Sequence, residues 1–260
     1  MQLFDARQAI CDYGRRLWQR GMVAANDGNL SVRIGDDRLL ATPTGVSKGF
    51  MEPADLILCD LDGRVVQGER RPSSELKMHL EVYRLRTDAQ AVVHAHPPYA
   101  TAFALAGVAL DQCLLPESVL TLGAIPIASY ATPSTEEIPA SIRDHVPRCD
   151  AVLLANHGAV VWADDLLAAY YRMETLEHAA AITHHARALG GPQPLTAEQV
   201  AKLERVRQQM GLSGRCLPCE PSEAGAGCPL PAADEATAAD DERALIEHIT
   251  RAVLAVLQRS

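Results

Sequence analysis

Ala91-Val92-Val93-His94-Ala95-His96 is the stretch on which the fold and the chemistry of this 260-residue chain turn. Val92 and Val93 favour extended backbone, and side chains alternate faces along a strand, so His94 and His96 point the same way. A second apolar run, residues 151–155, reads as a buried strand and leads into Asn156-His157-Gly158, which supplies a third imidazole. Neutral imidazole suits zinc, and three nitrogen ligands leave a coordination position for substrate, the pattern of catalytic rather than structural sites. Taken alone, the three histidines leave both a metal site and ordinary core histidines open.

Outward from this stretch the chain alternates helical and extended patterns. Leu3, Ala6, Ile10, Tyr13 and Leu17 follow helical spacing, with a stop near Gly21. The turn cluster Asn26-Asp27-Gly28-Asn29 opens a strand over 30–34, which Gly35-Asp36-Asp37 turns back into 39–42. A second hairpin pairs 56–59 with Val65 and Val66 through Asp62-Gly63. After Pro72 the pattern predicts a helix over 75–85, with Ser73 and Ser74 placed to cap it. Further helices are expected at 97–106, 135–146, 164–189 and 196–210, alternating with strands at 91–96, 124–130 and 151–162. The mixture implies an α/β fold with a largely antiparallel sheet covered by helices.

With 48% hydrophobic residues the chain can bury one substantial core, and one domain plus a tail is expected. Residues 1–212 form that domain. Residues 213–240, rich in Pro, Gly, Ala, Ser and acid, read as a linker. Over 241–258, Leu245, Ile246, Ile249, Val253, Val256 and Leu257 fall on one helical stripe. A net charge of -9 argues against nucleic acid as partner. No apolar run reaches the roughly eighteen residues of a membrane span, and residues 1–5 lack signal-peptide character, so a cytoplasmic location is expected. Seven cysteines suit reduced thiols, and Cys216, Cys219 and Cys228 lack a fourth ligand at zinc-finger spacing.

Three polar clusters could hold a small phosphate through hydroxyls and backbone N–H groups: Gly28-Asn29, Thr44-Gly45, and Ser73-Ser74 at a helix N-terminus. Each also has an ordinary reading as a turn or cap. Glu75 is a commonplace first-turn residue, yet a carboxylate beside a metal is what proton abstraction next to a carbonyl requires.

In order, Gly28-Asn29-Leu30-Ser31, Thr42-Pro43-Thr44-Gly45, Pro72-Ser73-Ser74-Glu75, His94-Ala95-His96 and Asn156-His157-Gly158 resemble the class II aldolase/adducin family, most closely its fuculose-1-phosphate aldolase branch. The resemblance spans about residues 3–212. It implies a three-layer α/β/α sandwich around a mainly antiparallel sheet, a homotetramer with active sites at subunit interfaces, and one zinc ion per subunit. It implies that His94, His96 and His157 are metal ligands and Glu75 the catalytic acid/base, and that Asn29, Thr44, Gly45, Ser73 and Ser74 contact the substrate phosphate. The implied reaction cleaves a ketose 1-phosphate, L-fuculose 1-phosphate or a related deoxy-ketose phosphate, to dihydroxyacetone phosphate and a small aldehyde such as lactaldehyde.

Related ribulose-phosphate 4-epimerases have Asp where this chain has Glu75, which favours cleavage. A 4-epimerase or a sugar-acid phosphate decarboxylase of the same family is the alternative. A non-catalytic scaffold, as in adducin head domains, is disfavoured by the intact His94, His96, His157 and Glu75. Two family tyrosines are missing: Leu115 aligns with one contributed by a neighbouring subunit, and Met210 replaces the other. The donor to the aldehyde oxygen is left open between Glu117, Tyr130 and water, and a less polar aldehyde than that of fuculose is implied. Residues 241–258 resemble an encapsulation peptide, implying bacterial microcompartment shell proteins as partners and the compartment lumen as location, with an oligomerisation helix as the alternative.

Overall fold

A computed structural model describes residues 3–212 together with Gly214 and Arg215. The expected linker, apart from those two residues, and the expected C-terminal helix lie outside the described residues. Eight strands build one sheet: β1 (Asn29–Ile34), β2 (Arg38–Ala41), β3 (Ile57–Asp60), β4 (Val65–Gln67), β5 (Ala91–Ala95), β6 (Ile127–Ala128), β7 (Ala151–Leu154) and β8 (Gly158–Ala163). Their order is β4-β3-β2-β1-β5-β8-β7-β6. Every pairing is antiparallel except that of β6 with β7. Among the described residues, seven α-helices join them: α1 (Leu3–Gln19), α2 (Leu76–Leu85), α3 (Pro98–Leu105), α4 (Pro116–Thr121), α5 (Glu137–Ile142), α6 (Leu166–Ala188) and α7 (Ala197–Gln209). None of the described helices is long and apolar enough to cross a membrane.

Strand alternation sorts the core into two clusters. Ala91, Val93 and Ala95 of β5 and Val161 of β8 pack with Ile10 of α1, Phe103 of α3 and Met173 of α6. Val92 and Trp162 take the other direction and meet Met78 and Val82 of α2 and Ile142 of α5. β5 and β8 are therefore buried along their whole length, which explains why neither strand carries an alternating polar face.

Both predicted hairpins are present, β1–β2 and β3–β4. Residues 151–162, expected as one strand, form two. Asn156 adopts a left-handed φ of 58°, which reverses the chain between β7 and β8 and makes a hairpin of the run. The strand expected over 124–130 shrinks to the two residues of β6 at the sheet edge. The unanticipated helix α4 begins with Pro116, whose fixed φ and missing N–H suit a first helical position. Cys11, Cys59 and Cys149 are buried free thiols. Cys113 is disulfide-bonded and corrects the expectation of reduced cysteines throughout. It sits where Val200 of α7 packs back, and its carbonyl accepts from Leu195 N at 2.7 Å, so the segment leading into α7 folds against it.

Candidate metal and catalytic site

The site lies where β5 ends, β8 begins and α2 starts. His94 is fully buried on β5, opposite Asn29 in the β1 register. Its Nδ1 lies 2.9 Å from the Ala159 carbonyl. A carbonyl can only accept, so Nδ1 carries the hydrogen and Nε2 keeps its lone pair. That Nε2 faces His96 Nε2 at 3.2 Å. His157 joins them from the β7–β8 turn, with the three rings 4.8–5.0 Å apart between centroids. The close approach depends on Gly158, where a Cβ would lie 2.5 Å from the Ala95 carbonyl oxygen and 2.7 Å from the His96 ring.

Glu75 faces two of these rings: Oε2 is 3.2 Å from His94 Nε2 and Oε1 is 3.1 Å from His157 Nε2. Burial alone would raise the Glu75 pKa, but the neighbouring His94 and His157 outweigh it and hold the carboxyl well below the usual carboxylate range. Burial first, and then the neighbouring His94 and His157, push His96 down to about 4, which keeps its ring a neutral lone-pair donor. His94, His96 and His157 each offer one ligand atom, all within 4.8 Å of one another. Facing imidazole lone pairs repel unless a cation lies between them, so this donor set fits a divalent transition metal with nitrogen preference.

Eight of the nine residues singled out in the sequence line one cleft of about 300 Å³, and the ninth, His94, is buried beneath it. The serines do not cap α2 as expected. Glu75 itself occupies the N-cap position, without a side-chain cap, and α2 begins at Leu76. Ser73 Oγ instead accepts from Glu75 N at 3.3 Å, a local turn that fixes the carboxylate's backbone, and Ser74 Oγ accepts from Ser134 Oγ at 2.8 Å. The Asn29 amide lies between Glu75 and His79: its Nδ2 donates to Glu75 Oε2 at 3.0 Å, and its Oδ1 is 2.5 Å from His79 Nε2.

Sequence reasoning missed three residues here. Lys48, 2% exposed, is the one Lys or Arg on the cleft wall among the described residues. Its Nζ donates to the carbonyls of Asn26 and Val46, both at 2.7 Å, and burial lowers its pKa to about 8. Ser134 reaches the cleft from a loop, and His79 lies beneath it. A lysine after Thr-Pro-Thr-Gly reads in sequence as a solvated loop charge, and a helical histidine reads as core, so neither carried a signal. Glu117 and Tyr130 are exposed and lie off the cleft wall, as does the exposed Met210, while Leu115 borders a separate small cavity.

The family model described as Class II Aldolase and Adducin N-terminal domain matches residues 8–184. The chain belongs to the class II aldolase/adducin family. A 5-deoxy-D-ribulose 1-phosphate aldolase of Bacillus thuringiensis serovar kurstaki is 34% identical over 209 residues, covering 79% of this chain and 96% of the relative. A 3-oxo-tetronate 4-phosphate decarboxylase of Pectobacterium atrosepticum is 35% identical over 179 residues, covering 67% of this chain and 82% of the relative. The solved structure of an L-fuculose 1-phosphate aldolase superposes with a TM-score of 0.74 at 32% identity, covering 80% of this chain and 97% of that one. The class II aldolase fold thus brings together the three-histidine cluster, Glu75 and the hydroxyl-lined cleft.

Proposed function

We propose that this class II aldolase family member is a zinc-dependent lyase that breaks the C3–C4 bond of a ketose 1-phosphate, releasing dihydroxyacetone phosphate and a small aldehyde. The observation that carries the proposal is the Glu75 carboxylate, 3.1–3.2 Å from two of three converging histidines in a cleft lined by Thr44, Gly45, Ser73 and Ser74. His94, His96 and His157 would hold the cation, which when bound supplies Lewis-acid stabilisation of negative charge at the substrate carbonyl. Glu75 returns a proton to C3 after cleavage and removes it in the synthetic direction. Thr44, Gly45, Ser73 and Ser74 bind the phosphate through hydroxyls and backbone N–H groups, and Lys48 supplies the positive charge that those groups lack. Asn29, expected as a phosphate contact, is better placed to orient Glu75.

A deoxy-ketose 1-phosphate is the favoured substrate, supported by the relative that acts on 5-deoxy-D-ribulose 1-phosphate and by Leu115 and Met210 in place of tyrosines. Decarboxylation of 3-oxo-tetronate 4-phosphate is the second reading, favoured by the 35% identity to a decarboxylase of that name. A coupled assay for dihydroxyacetone phosphate across a panel of ketose 1-phosphates, run beside carbon dioxide release from 3-oxo-tetronate 4-phosphate and metal analysis of the same sample, separates the two. Failure to form dihydroxyacetone phosphate from every member of the panel overturns the aldolase proposal.

Three further properties belong to the same proposal. Core clusters formed by alternate residues of the same strands support a three-layer α/β/α arrangement. Membership of the class II aldolase/adducin family supports a homotetramer with active sites at its subunit interfaces. The amphipathic spacing over 241–258 and the release of a reactive aldehyde support delivery to a microcompartment lumen. Light scattering tests the tetramer. Deleting residues 240–260 is expected to keep activity and abolish association with shell proteins.

A further inference from the structure

Below the cleft, a line of buried polar groups leads from α2 and β1 to Glu75, and no step described so far uses its central member. His79 is 1% exposed, with Ser31 and Tyr83 equally enclosed. Its Nδ1 is 2.6 Å from Ser31 Oγ and its Nε2 is 2.5 Å from Asn29 Oδ1. Tyr83 Oη lies 2.9 Å from both the Ser31 hydroxyl and the Ser31 carbonyl. The backbone explains the assembly: Glu75, His79 and Tyr83 are spaced four apart at one face of α2, and Asn29 and Ser31 are two apart on one face of β1.

The hydrogens in this line can be assigned from its ends. An ionised carboxylate only accepts, so the Asn29 NH2 group must face Glu75 and Asn29 Oδ1 must face His79. His79 Nε2 then carries the hydrogen. Nδ1 becomes the acceptor, so the Ser31 hydroxyl donates to it, and the single Tyr83 hydrogen is shared between the Ser31 hydroxyl and carbonyl oxygens. From the Ser31 hydroxyl the bonds run one way, to His79, Asn29 and Glu75, and bonds aligned in this manner polarise one another. Burial pushes His79 down to about 3, which keeps the ring neutral near pH 7.

We propose that His79 is a positioning residue: as its neutral Nε2–H tautomer it fixes the Asn29 amide so that the NH2 group holds the Glu75 carboxylate in place. The opposite tautomer would turn the Asn29 oxygen toward Glu75, setting two acceptors against each other. The functional part of this inference rests on the proposed acid/base role of Glu75. The tautomer does not.

The test uses the full chain. Side-chain 15N correlation spectra should give His79 a protonated Nε2 and an unprotonated Nδ1; a protonated Nδ1 overturns the proposal. In parallel, exchange of the C3 proton of dihydroxyacetone phosphate with D2O is followed by NMR without aldehyde. His79→Leu should slow exchange about 10- to 100-fold, the usual cost of losing an outer-shell hydrogen-bond partner, with little change in the half-saturating dihydroxyacetone phosphate concentration. His79→Gln, which retains an N–H donor, should recover part of the loss. Equal losses in both variants, or a change confined to half-saturation, would mean that His79 only packs. If His79→Leu does not fold, Ser31→Ala removes just the hydroxyl that fixes Nδ1 as acceptor; it should give a mixed tautomer and a smaller loss, and an unchanged tautomer counts against the proposal. A wild-type protein that exchanges no proton defeats the aldolase function instead, and the tautomer still decides the hydrogen-bond assignment.

Discussion

The chain buries polar and charged groups at both ends of β5, β7 and β8, and it treats the two ends in opposite ways. At the end where β7 begins, Asp150 is fully buried and meets Arg86 at 2.8 Å, Arg172 at 3.1 Å and the backbone N–H of Arg215 at 2.7 Å. The Arg86 guanidinium also grips both Asp88 oxygens at 2.8 Å and donates to the carbonyls of Val146 and Cys149. At the end where β8 begins, three imidazoles and the Glu75 carboxylate converge, and no guanidinium among the described residues closes the cluster. A buried charge with its counter-charges beside it is closed within the fold, whereas donors aimed at a common point call for a cation from outside. Burial of polar groups is therefore common to both ends, and direction of the lone pairs distinguishes the proposed functional one.

The largest expected effects test that division. His157→Ala should reduce bound metal, read by elemental analysis, from about one per chain to a small fraction, and cut cleavage by about 10³-fold or more, since Lewis-acid stabilisation supplies several kcal/mol. It should cost little stability. Asp150→Asn should do the reverse, losing about 3–5 kcal/mol in urea denaturation because a buried ion-pair network loses its shared negative charge, while metal content stays unchanged. Metal loss in Asp150→Asn without unfolding would break the comparison.

The two ends were not equally legible in the sequence. A period of two places His94 and His96 on one strand face, whereas Glu75 and the serines have ordinary readings at a helix start and stand out only through the ordered family motifs. The turn that carries His157 was misread as continuous strand, since residues 151–162 are apolar apart from Asn156 and His157, and the left-handed Asn156 has no periodic signature. The Arg86–Asp150–Arg172 network was invisible: its members lie 64 and 22 residues apart, and an isolated Asp or Arg looks like a surface residue until the topology brings it inside. Lys48 and His79 escaped for the same reason. Local pattern reveals which face a residue takes, but partners distant in sequence decide whether a charge is closed off or left open.

Acid sharpens the contrast more gently. His79 titrates near 6.5 when unfolded and at about 3 when folded, because burial excludes its charged form. Below pH 6.5 the unfolded chain therefore binds a proton that the folded chain refuses. Stability is fully present above that pH and falls by about 1.4 kcal/mol per pH unit until about pH 3, or about 2 kcal/mol by pH 5. At the other end, the hydrogen bonds from Arg86 lower the Asp88 pKa below its ordinary 3.8, so its contribution persists above that value and is lost only in stronger acid. Urea midpoints from pH 7 to 4 should show a shallower decline in His79→Gln than in wild type. Equal slopes would place the acid sensitivity elsewhere.

The smallest expected effect concerns the two ends' cations. Arg86 spends its fork on Asp88, Asp150 and two carbonyls, whereas Lys48 Nζ has three hydrogens and two carbonyl partners, leaving one for the cleft. If that hydrogen and charge meet the substrate phosphate, Lys48→Met should raise KM for a ketose 1-phosphate about tenfold at constant kcat, the low end for a charged hydrogen bond because the cleft admits water. Inorganic phosphate should weaken as a competitive inhibitor by a similar factor, which a purely structural clamp between Asn26 and Val46 would not require. The pKa of about 8 adds a second check: as pH rises through 8, Lys48 loses its charge, so wild-type KM should climb toward that of the variant, whose own KM stays flat. A kcat loss in Lys48→Met with KM unchanged would instead make Lys48 a loop brace, and then both ends of the sheet would use their buried cations for architecture alone.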